Sequence, residues 1–292
     1  MSSNPNPPPD PNRLKPPTGL TPFVLDPIPG TRTLLHRVDL PTYERLRLTT
    51  DPEPFFRDLS ERLRAEGWLV VHLWADVEQS KPAVVASRIR ALAGDSVRIP
   101  ARLTQVRRID RPTALAFLEQ NHLQVATASK YKYGLWLPQR YFRVLPPDYL
   151  TPEQARQPEC LVAVATFSHP RTIPRDGQPY RSYELVRFAN RLGCTVVGGL
   201  DKLLKAFVTA HAPDDIMTYA DRDWSDGRSY ERLGFERLGE TGPQLFWLDP
   251  ITLERHYPHR IDDTTGLIPV WNAGSIKFVK KLRFTSSDPL TS

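Results

Sequence analysis

At 292 residues the chain is long enough for one large domain or two modest ones, each with its own hydrophobic core. A composition of 40% hydrophobic and 25% charged residues excludes wholesale disorder, and no apolar run reaches the roughly eighteen residues that a membrane-spanning helix needs. The net charge of +6 favours a polyanionic partner, because Lys and Arg gain affinity by displacing condensed counterions from phosphates.

Ten of the 30 prolines fall in the first thirty residues, so residues 1–35 read as a disordered Pro-rich tail. The opening MSSNPNPPPDPNRL lacks the apolar core of a signal peptide. Cys160 and Cys194 are too few for a disulfide framework or a Cys-rich zinc site. A cytoplasmic protein without a membrane partner is the expectation. Phe55, Phe56, Leu59 and Leu63 then predict a helix over 54–66, closed by Gly67. The run Trp68–Trp74 reads as a buried strand, and Pro82 opens a helix that ends at Ala93-Gly94. Residues 36–97 therefore form a small helix–strand–helix appendage.

A second pattern begins near residue 98. A helix is predicted from Asp110-Arg-Pro-Thr to Asn121, then strands over 132–137 and 161–168 around a Pro- and charge-rich insertion, 138–158. Another strand covers 183–188. Val197-Gly-Gly turns into a helix carrying Leu203, Leu204 and Phe207. A strand over 216–220, a short helix over 229–233 and a strand over 244–248 follow. Lys277, Lys280, Lys281 and Arg283 mark residues 261–292 as a basic extension with a strand-like edge. Strands alternating with helices predict a mixed α/β sheet over 98–260.

The stretch Leu192–Phe207 is the most informative. A strand ends in Gly198-Gly199 and an amphipathic helix starts at once, so unsatisfied amides and the helix dipole face outward where an anion can approach. A tight turn with glycine for packing alone gives the same pattern. Downstream, Ile216-Met-Thr-Tyr-Ala-Asp-Arg-Asp-Trp-Ser-Asp-Gly-Arg-Ser-Tyr-Glu-Arg-Leu-Gly-Phe235 runs strand, loop, short helix, Leu-Gly-Phe. This order resembles the second half of the GNAT acyltransferase fold. The resemblance implies a GNAT-like mixed sheet flanked by helices, with a V-shaped gap between the strands ending near Phe188 and Tyr219. It places the pyrophosphate of acetyl-CoA or another acyl-CoA on Val197, Gly198, Gly199 and Lys202, and Tyr230 near the thioester sulfur. Leu200 stands where the family carries a small residue, which narrows the expected cradle.

A closer similarity runs through Phe117-Leu-Glu-Gln-Asn-His-Leu-Gln124, Tyr133-Gly-Leu, Leu161-Val-Ala-Val-Ala-Thr-Phe-Ser-His-Pro-Arg171, Tyr183-Glu-Leu-Val-Arg-Phe188 and Tyr219–Ser225. It resembles the GNAT-like domain of phage homing-endonuclease-like proteins and, more distantly, the Mom DNA-modification proteins. That implies a phage or mobile-element protein acting on nucleic acid, DNA foremost, by acyl-CoA-linked alteration of a base amine. The alternative it leaves open is a non-catalytic DNA-binding module. Leu63–Asp76 with Lys81–Arg90 is similar to the closing strand and helix of VSR-type endonucleases. Of the acids upstream, only Asp39, Glu44 and Asp51 lie in plausible territory for a further metal ligand. The segment therefore reads as a truncated remnant, and a nuclease resting on Asp76 ranks last.

Three residues stand out for chemistry, each with a plainer reading beside it. His122 titrates near neutrality and suits proton transfer, or caps a helix. Asp221 follows a strand end, where ligands gather in open sheets, or caps a loop beside Arg222. Tyr230 protonates a leaving thiolate, or packs on Phe235. For nucleic acid the candidates are Arg107, Arg108, Lys130, Lys132 and Arg222. Tyr131 and Tyr133 are interleaved with four of them, in the manner of stacking sites for single strands or extruded bases, or of an ordinary solvated strand. His256-x-x-His259 lacks a third ligand in sequence.

Overall fold

The computed structural model describes residues 17–125, 127, 129–175 and 177–283. It divides into two units, residues 1–80, 221–226 and 242–274 in one and the rest in the other. The smaller unit opens with β1 (Val24–Pro27) and β2 (Thr33–Val38), followed by α1 (Leu40–Leu46), α2 (Pro52–Ala65), β3 (Leu69–Trp74) and α3 (Ala75–Ser80). Residues 17–35 are thus structured, with Phe23, Ile28, Leu34 and Leu35 buried, and not part of a tail. Residues 1–16 of the expected tail lie outside the described residues. Local chemistry sets the helices. Asp39 accepts the Thr42 amide at the start of α1, and Asp51 accepts the Glu53 amide at the start of α2, each with a proline at a tolerated first-turn position. Gly67 takes the left-handed conformation that turns α2 into β3.

The larger unit starts with α4 (Pro82–Leu92), β4 (Val97–Pro100), β5 (Gln105–Arg108) and α5 (Arg111–Asn121). Asp110 caps α5 by accepting the Thr113 amide at 2.9 Å. Next come β6 (Tyr131–Pro138), the short α6 (Pro152–Ala155), β7 (Glu159–Phe167), β8 (Arg171–Arg175), β9 (Gln178–Asn190) and β10 (Cys194–Val197). Then follow α7 (Gly199–His211), β11 (Asp215–Asp221), α8 (Arg228–Glu231) and β12 (Glu236–Thr241). Residues 242–274 return to the smaller unit as β13 (Leu245–Leu248), β14 (Arg255–His256) and β15 (Ile268–Trp271), and β16 (Ser275–Lys281) closes the larger one.

The main sheet has the order β12-β16-β11-β9-β7-β6-β5, with β8 paired to the start of β9. β10 lies parallel to β4 in a separate two-stranded ribbon. One face of the sheet is covered by α7 through Leu203, Leu204 and Phe207, which pack with Tyr133, Leu135, Phe167 and Leu185. The other is covered by α5 through Ala114, Phe117 and Leu118 on Val164 and Ala189. This is the mixed, helix-flanked sheet the GNAT resemblance implies. β16 is an interior strand of that sheet, whereas the sequence suggests a basic extension at its edge. The alternation of buried and half-exposed residues along it, with Ile276, Phe278 and Val279 buried, gives the reason.

In the smaller unit β2 pairs antiparallel with β1 and parallel with β3, and β13 lies between β14 and β15. Its core gathers Phe23, Val38, Tyr43, Phe56, Trp74, Leu248 and Val270. The segments 242–274 and 36–80 share this core, so the expected boundary near residue 260 falls inside a folded unit.

Candidate active site

The chemistry of the larger unit concentrates where β9 and β11 part. The two strands pair in parallel over only three positions, Ser182–Glu184 against Asp215–Met217. Beyond these, Leu185–Asn190 and Thr218–Asp221 share no ladder among the described residues. On its other side β9 bulges at Val186, since Thr166 pairs with Arg187 and Phe167 with Leu185. A bulge adds twist and re-aims the side chains next to it, here Arg187. At the mouth of the V, Thr218 Oγ1 donates to the Leu185 carbonyl at 3.0 Å, and the Thr218 side chain also bonds the Tyr230 phenol.

Tyr230 is held there by its ring, which packs against Phe235 at 5.7 Å and Phe278 at 5.6 Å between centroids. The ring packs on Phe235, as in the plainer reading of this residue, and the phenol lies beside Thr218. Burial raises the phenol above its ordinary value, which keeps it a proton donor. Gly227 precedes α8 with φ +81°, and a side-chain carbon at this position would meet the Phe278 ring at 2.2 Å. Glycine is thus the residue that lets Phe278 approach and seats Tyr230.

Two arginines act on Tyr230, and one or both of them act on two further titratable groups, His122 and Glu184. Arg88 and Arg187 both act electrostatically on Tyr230 and on His122. Glu184, the last β9 residue paired with β11, feels Arg187. Half-buried, its carboxyl is raised by desolvation, against the opposing pull of Arg187. His122 lies just past α5, and the neighbouring Asn121 side chain accepts the Leu192 amide at 2.7 Å at the turn that follows β9. The imidazole is pushed down to about 3, first by burial and then by Arg187 and Arg88, so it is neutral. Its Nδ1 accepts the Gln124 amide at 3.1 Å. A group so far from neutrality is a hydrogen-bonding residue rather than the proton shuttle its ordinary value suggests.

The proposed anion cradle is built from main chain. Gly198 adopts φ +76° with no side-chain cap on α7, so the first-turn amides of Gly199, Leu200 and Asp201 have no partner within the helix. Val197 and Gly198 are exposed. Leu200 is half-buried and packs against the core of the unit. Gly199 has a packing reason of its own, because a Cβ there would come within 2.9 Å of Val196 and 3.2 Å of Leu135. Lys202 departs from expectation. Its ammonium turns inward to donate to the carbonyls of Ala101, at 2.9 Å, and Thr104, so it ties α7 to the β4–β5 connection and does not face a phosphate.

Asp221 and Arg222 are placed differently from the sequence reading. Both belong to the turn 221–226 of the smaller unit. Asp221 Oδ1 accepts the Asp223 amide at 3.0 Å, the loop-capping role. Its charge, after burial, helps push the Asp223 carboxyl well up. Arg222 is 5% exposed and its guanidinium donates to Glu61 at 2.9 Å, so it is no surface contact for DNA. Asp76 is likewise spent. Both its oxygens accept from Arg255, at 2.7 and 2.9 Å, in the buried interior. No group of three His, Cys, Asp or Glu side chains suited to a metal ion occurs among the described residues.

Of the remaining cations, Arg107 is ion-paired with Glu159. Arg108, over the Tyr131 ring at 5.7 Å, and Lys130 are exposed, and Lys132 is half-buried with its ammonium on the Ser129 carbonyl. Sequence reading passes over Glu184, Arg187, Arg88 and Thr218, since nothing in a single strand or helix announces that a sheet opens beside them. The signal that existed was Glu184 and Arg187 as charged residues inside an otherwise apolar strand.

No known family profile matches the sequence, and no curated protein does. Solved structures do. A histone acetyltransferase HPA2-related acetyltransferase of Corynebacterium glutamicum is 13% identical, with 63% of this chain and 98% of that one covered and a TM-score of 0.35. A Bacillus subtilis acetyltransferase in complex with CoA is 15% identical, covering 61% and 99%, also with a TM-score of 0.35. The ribosomal-protein-S18-alanine N-acetyltransferase of Escherichia coli is 10% identical, covering 64% and 99%, with a TM-score of 0.34. By its own strand order, its parted central strands and the helix between them, the larger unit of this chain is a GNAT-like mixed sheet.

Proposed function

We propose that the protein is an acyl-CoA-dependent transferase that modifies an exocyclic amine of a nucleic acid base, DNA foremost, in the manner of the Mom-related proteins its motifs resemble. The phage-like motif string supports an origin in a phage or other mobile element. The observation that carries the reading is the parting of β9 and β11 with Glu184, Arg187 and Tyr230 at its mouth. An extended, amide-bearing arm fits between strands whose inner edges do not pair. The uncapped amides of Gly199, Leu200 and Asp201 suit its diphosphate.

Acyl-CoA, when bound, supplies an activated acyl carbonyl and a thiolate leaving group. Glu184, with a carboxyl raised toward neutrality, accepts the proton that the attacking amine gives up. Tyr230, kept protonated by burial, delivers a proton to the departing sulfur. His122, neutral and anchored by Gln124, hydrogen-bonds the acceptor base. Arg187 stabilises the ionised state of Glu184 between turnovers.

Isothermal titration of acetyl-CoA into the full chain tests this. Micromolar or tighter binding is expected, together with a mass increase on adenine nucleosides recovered from treated DNA; no heat at millimolar donor removes the proposal. A second reading, a DNA-holding module without chemistry, draws on the packing of Gly199 against Val196 and Leu135, because a glycine pair explained by packing does not demand a ligand. Under that reading Tyr230→Phe changes nothing measurable in DNA binding, and the donor gives no heat.

A further inference from the structure

Four cations lie at one end of the main sheet, with Asp110 as the acid nearest to them in sequence. Arg108 ends β5, Arg111 opens α5, and Lys130 and Lys132 stand at the start of β6. Main-chain bonds fix them together: the Ile109 amide donates to the Lys132 carbonyl at 3.0 Å, and the Lys130 amide to the Phe167 carbonyl at 2.9 Å. None of the four makes an ion pair among the described residues, whereas Arg107 on the same strand is paired with Glu159. The nearest acid in sequence, Asp110, gives its carboxylate to the Thr113 amide as the cap of α5. Burial and then the charges of Arg111, Arg108 and Lys130 hold the Lys132 ammonium below its ordinary value. Crowding of like charges costs stability in the free protein, and a polyanion offsets that cost.

Register fixes the position of Lys132, while Arg108 pairs with Tyr133 and reaches over the Tyr131 ring from the α7 face. Lys132 pairs with Thr166, and Thr166 with Arg187, so the three side chains share one face across β6, β7 and β9. Two strand spacings separate Lys132 from Arg187, about 10 Å. Between them the buried Thr166 hydroxyl has no hydrogen-bond partner among the described residues. Lys132, one nucleotide's reach from the parting, marks where the backbone of a polymeric acceptor would run.

We propose that Arg108, Arg111, Lys130 and Lys132 form the phosphate-gripping surface for a nucleic acid strand whose base is presented at the parting of β9 and β11. The surface rests on the transferase reading for the destination of the base but not for the binding itself. Its membership differs from the sequence expectation, with Arg111 gained and the paired Arg107 and buried Arg222 lost.

Fluorescence anisotropy with a labelled 20-nucleotide single strand and the matching duplex, over a potassium chloride series, tests it on the full chain. The wild type is expected to bind with a steep salt dependence. Arg108→Ala/Arg111→Ala/Lys130→Ala is expected to lose at least about tenfold in affinity and to flatten the slope of log K against log salt by roughly 2–3, near one unit per lost phosphate contact. Arg47→Ala, from the Arg47–Glu44 pair, should leave both unchanged. A triple variant that keeps the wild-type slope overturns the proposal, as does a wild type that binds neither probe at low salt. Acetyl-CoA titration of the same triple variant separates the two claims. Undiminished heat with lost DNA binding supports both, and DNA binding without heat in any variant leaves the surface standing and fells the transferase.

Discussion

His36 and His72 meet Nδ1 to Nδ1 at 2.8 Å in the interior of the smaller unit, neither of them exposed to solvent. Their partners fix the protons. His72 Nε2 faces the Phe56 carbonyl at 3.1 Å, which only accepts, so that nitrogen carries hydrogen and His72 Nδ1 carries a lone pair. His36 Nδ1 must then donate, and its Nε2 accepts from the Thr21 hydroxyl at 2.8 Å. The chain of bonds from Thr21 to Phe56, with the Ser60 hydroxyl also 2.8 Å from His72 Nε2, is complete with both rings neutral. Accordingly, burial lowers both rings, His72 to about 3 and His36 well below 6.5.

The sign of the pH effect follows. Unfolded imidazoles take up protons below about 6.5 while the folded ones do not, so the unfolded chain binds more protons there and stability falls with pH. The share of stability from these two rings is complete above about pH 6.5, while the raised Asp223 carboxyl acts with the opposite sign. Below that pH, the loss is about 1.4 kcal/mol per pH unit for each ring, continuing toward about pH 3 for His72. Urea unfolding between pH 7.5 and 5 measures this, and a flat midpoint across that window would contradict the neutral pair.

Gly227 and Gly94 offer a controlled comparison, because both sit at φ +81° in the larger unit. A Cβ at Gly94 meets nothing within 4 Å, whereas one at Gly227 overlaps the Phe278 ring. Gly94→Ala should therefore cost about 1 kcal/mol, the strain of the left-handed backbone alone. Gly227→Ala should cost at least about 2 kcal/mol more, since Phe278 is buried and has to shift. Equal losses in chemical denaturation would mean that the Phe278 contact does not limit the turn.

The elements set by local chemistry were legible in the sequence, and those set by partners were not. α2, β3, α4 and α5 follow from helical spacing, β-forming runs, caps and glycine stops to within a residue or two, and α7 is placed at its start but runs on past Phe207 to His211. β4 and β12 are short and owe their strand form to pairing with distant segments, Val97–Pro100 with Cys194–Val197 and Glu236–Thr241 with β16. β12 has six exposed residues and no apolar alternation to betray it. At the site, Tyr230 and the Gly198 turn carry motif signals, but Glu184 matters because pairing with Met217 ends there. Arg222 misled for a similar reason: an arginine in a polar loop looks solvated until Glu61, over 150 residues away, is seen to hold it.

Asp76 and Arg255 form a two-pronged pair in the interior, with the Arg255 guanidinium also 4.9 Å over the Trp74 ring. Asp76→Asn leaves that guanidinium buried and uncompensated, and should cost about 3–5 kcal/mol. Replacing both, as Asp76→Leu/Arg255→Met, should recover most of it, because the desolvation cost of the pair goes with the charges. A cycle of these variants measured by urea unfolding checks the coupling. If Asp76 instead supported metal-dependent cleavage, Asp76→Asn would abolish magnesium-dependent nicking while leaving the unfolding midpoint in place.

Glu184 and Tyr230 are assigned opposite halves of one proton balance, and pH distinguishes them. The base must be ionised, so kcat/KM should rise through a value above 4.5, the direction in which burial moves Glu184. The acid must keep its proton, and Tyr230 is raised above 10, so no falling limb is expected below that pH. Glu184→Gln should lower the rate by about 10²- to 10⁴-fold and erase the rising limb. Tyr230→Phe keeps the ring against Phe235 and Phe278 and loses only the hydroxyl bond to Thr218. Its stability should change by no more than about 1.5 kcal/mol, while the rate falls by about 10²-fold or more with the Glu184 limb intact. Donor titration on both variants separates chemistry from binding, since neither side chain is asked to hold the diphosphate. A Tyr230→Phe protein of full activity would return the ring to its plainer role as core, and the proton for the sulfur would have to come from elsewhere.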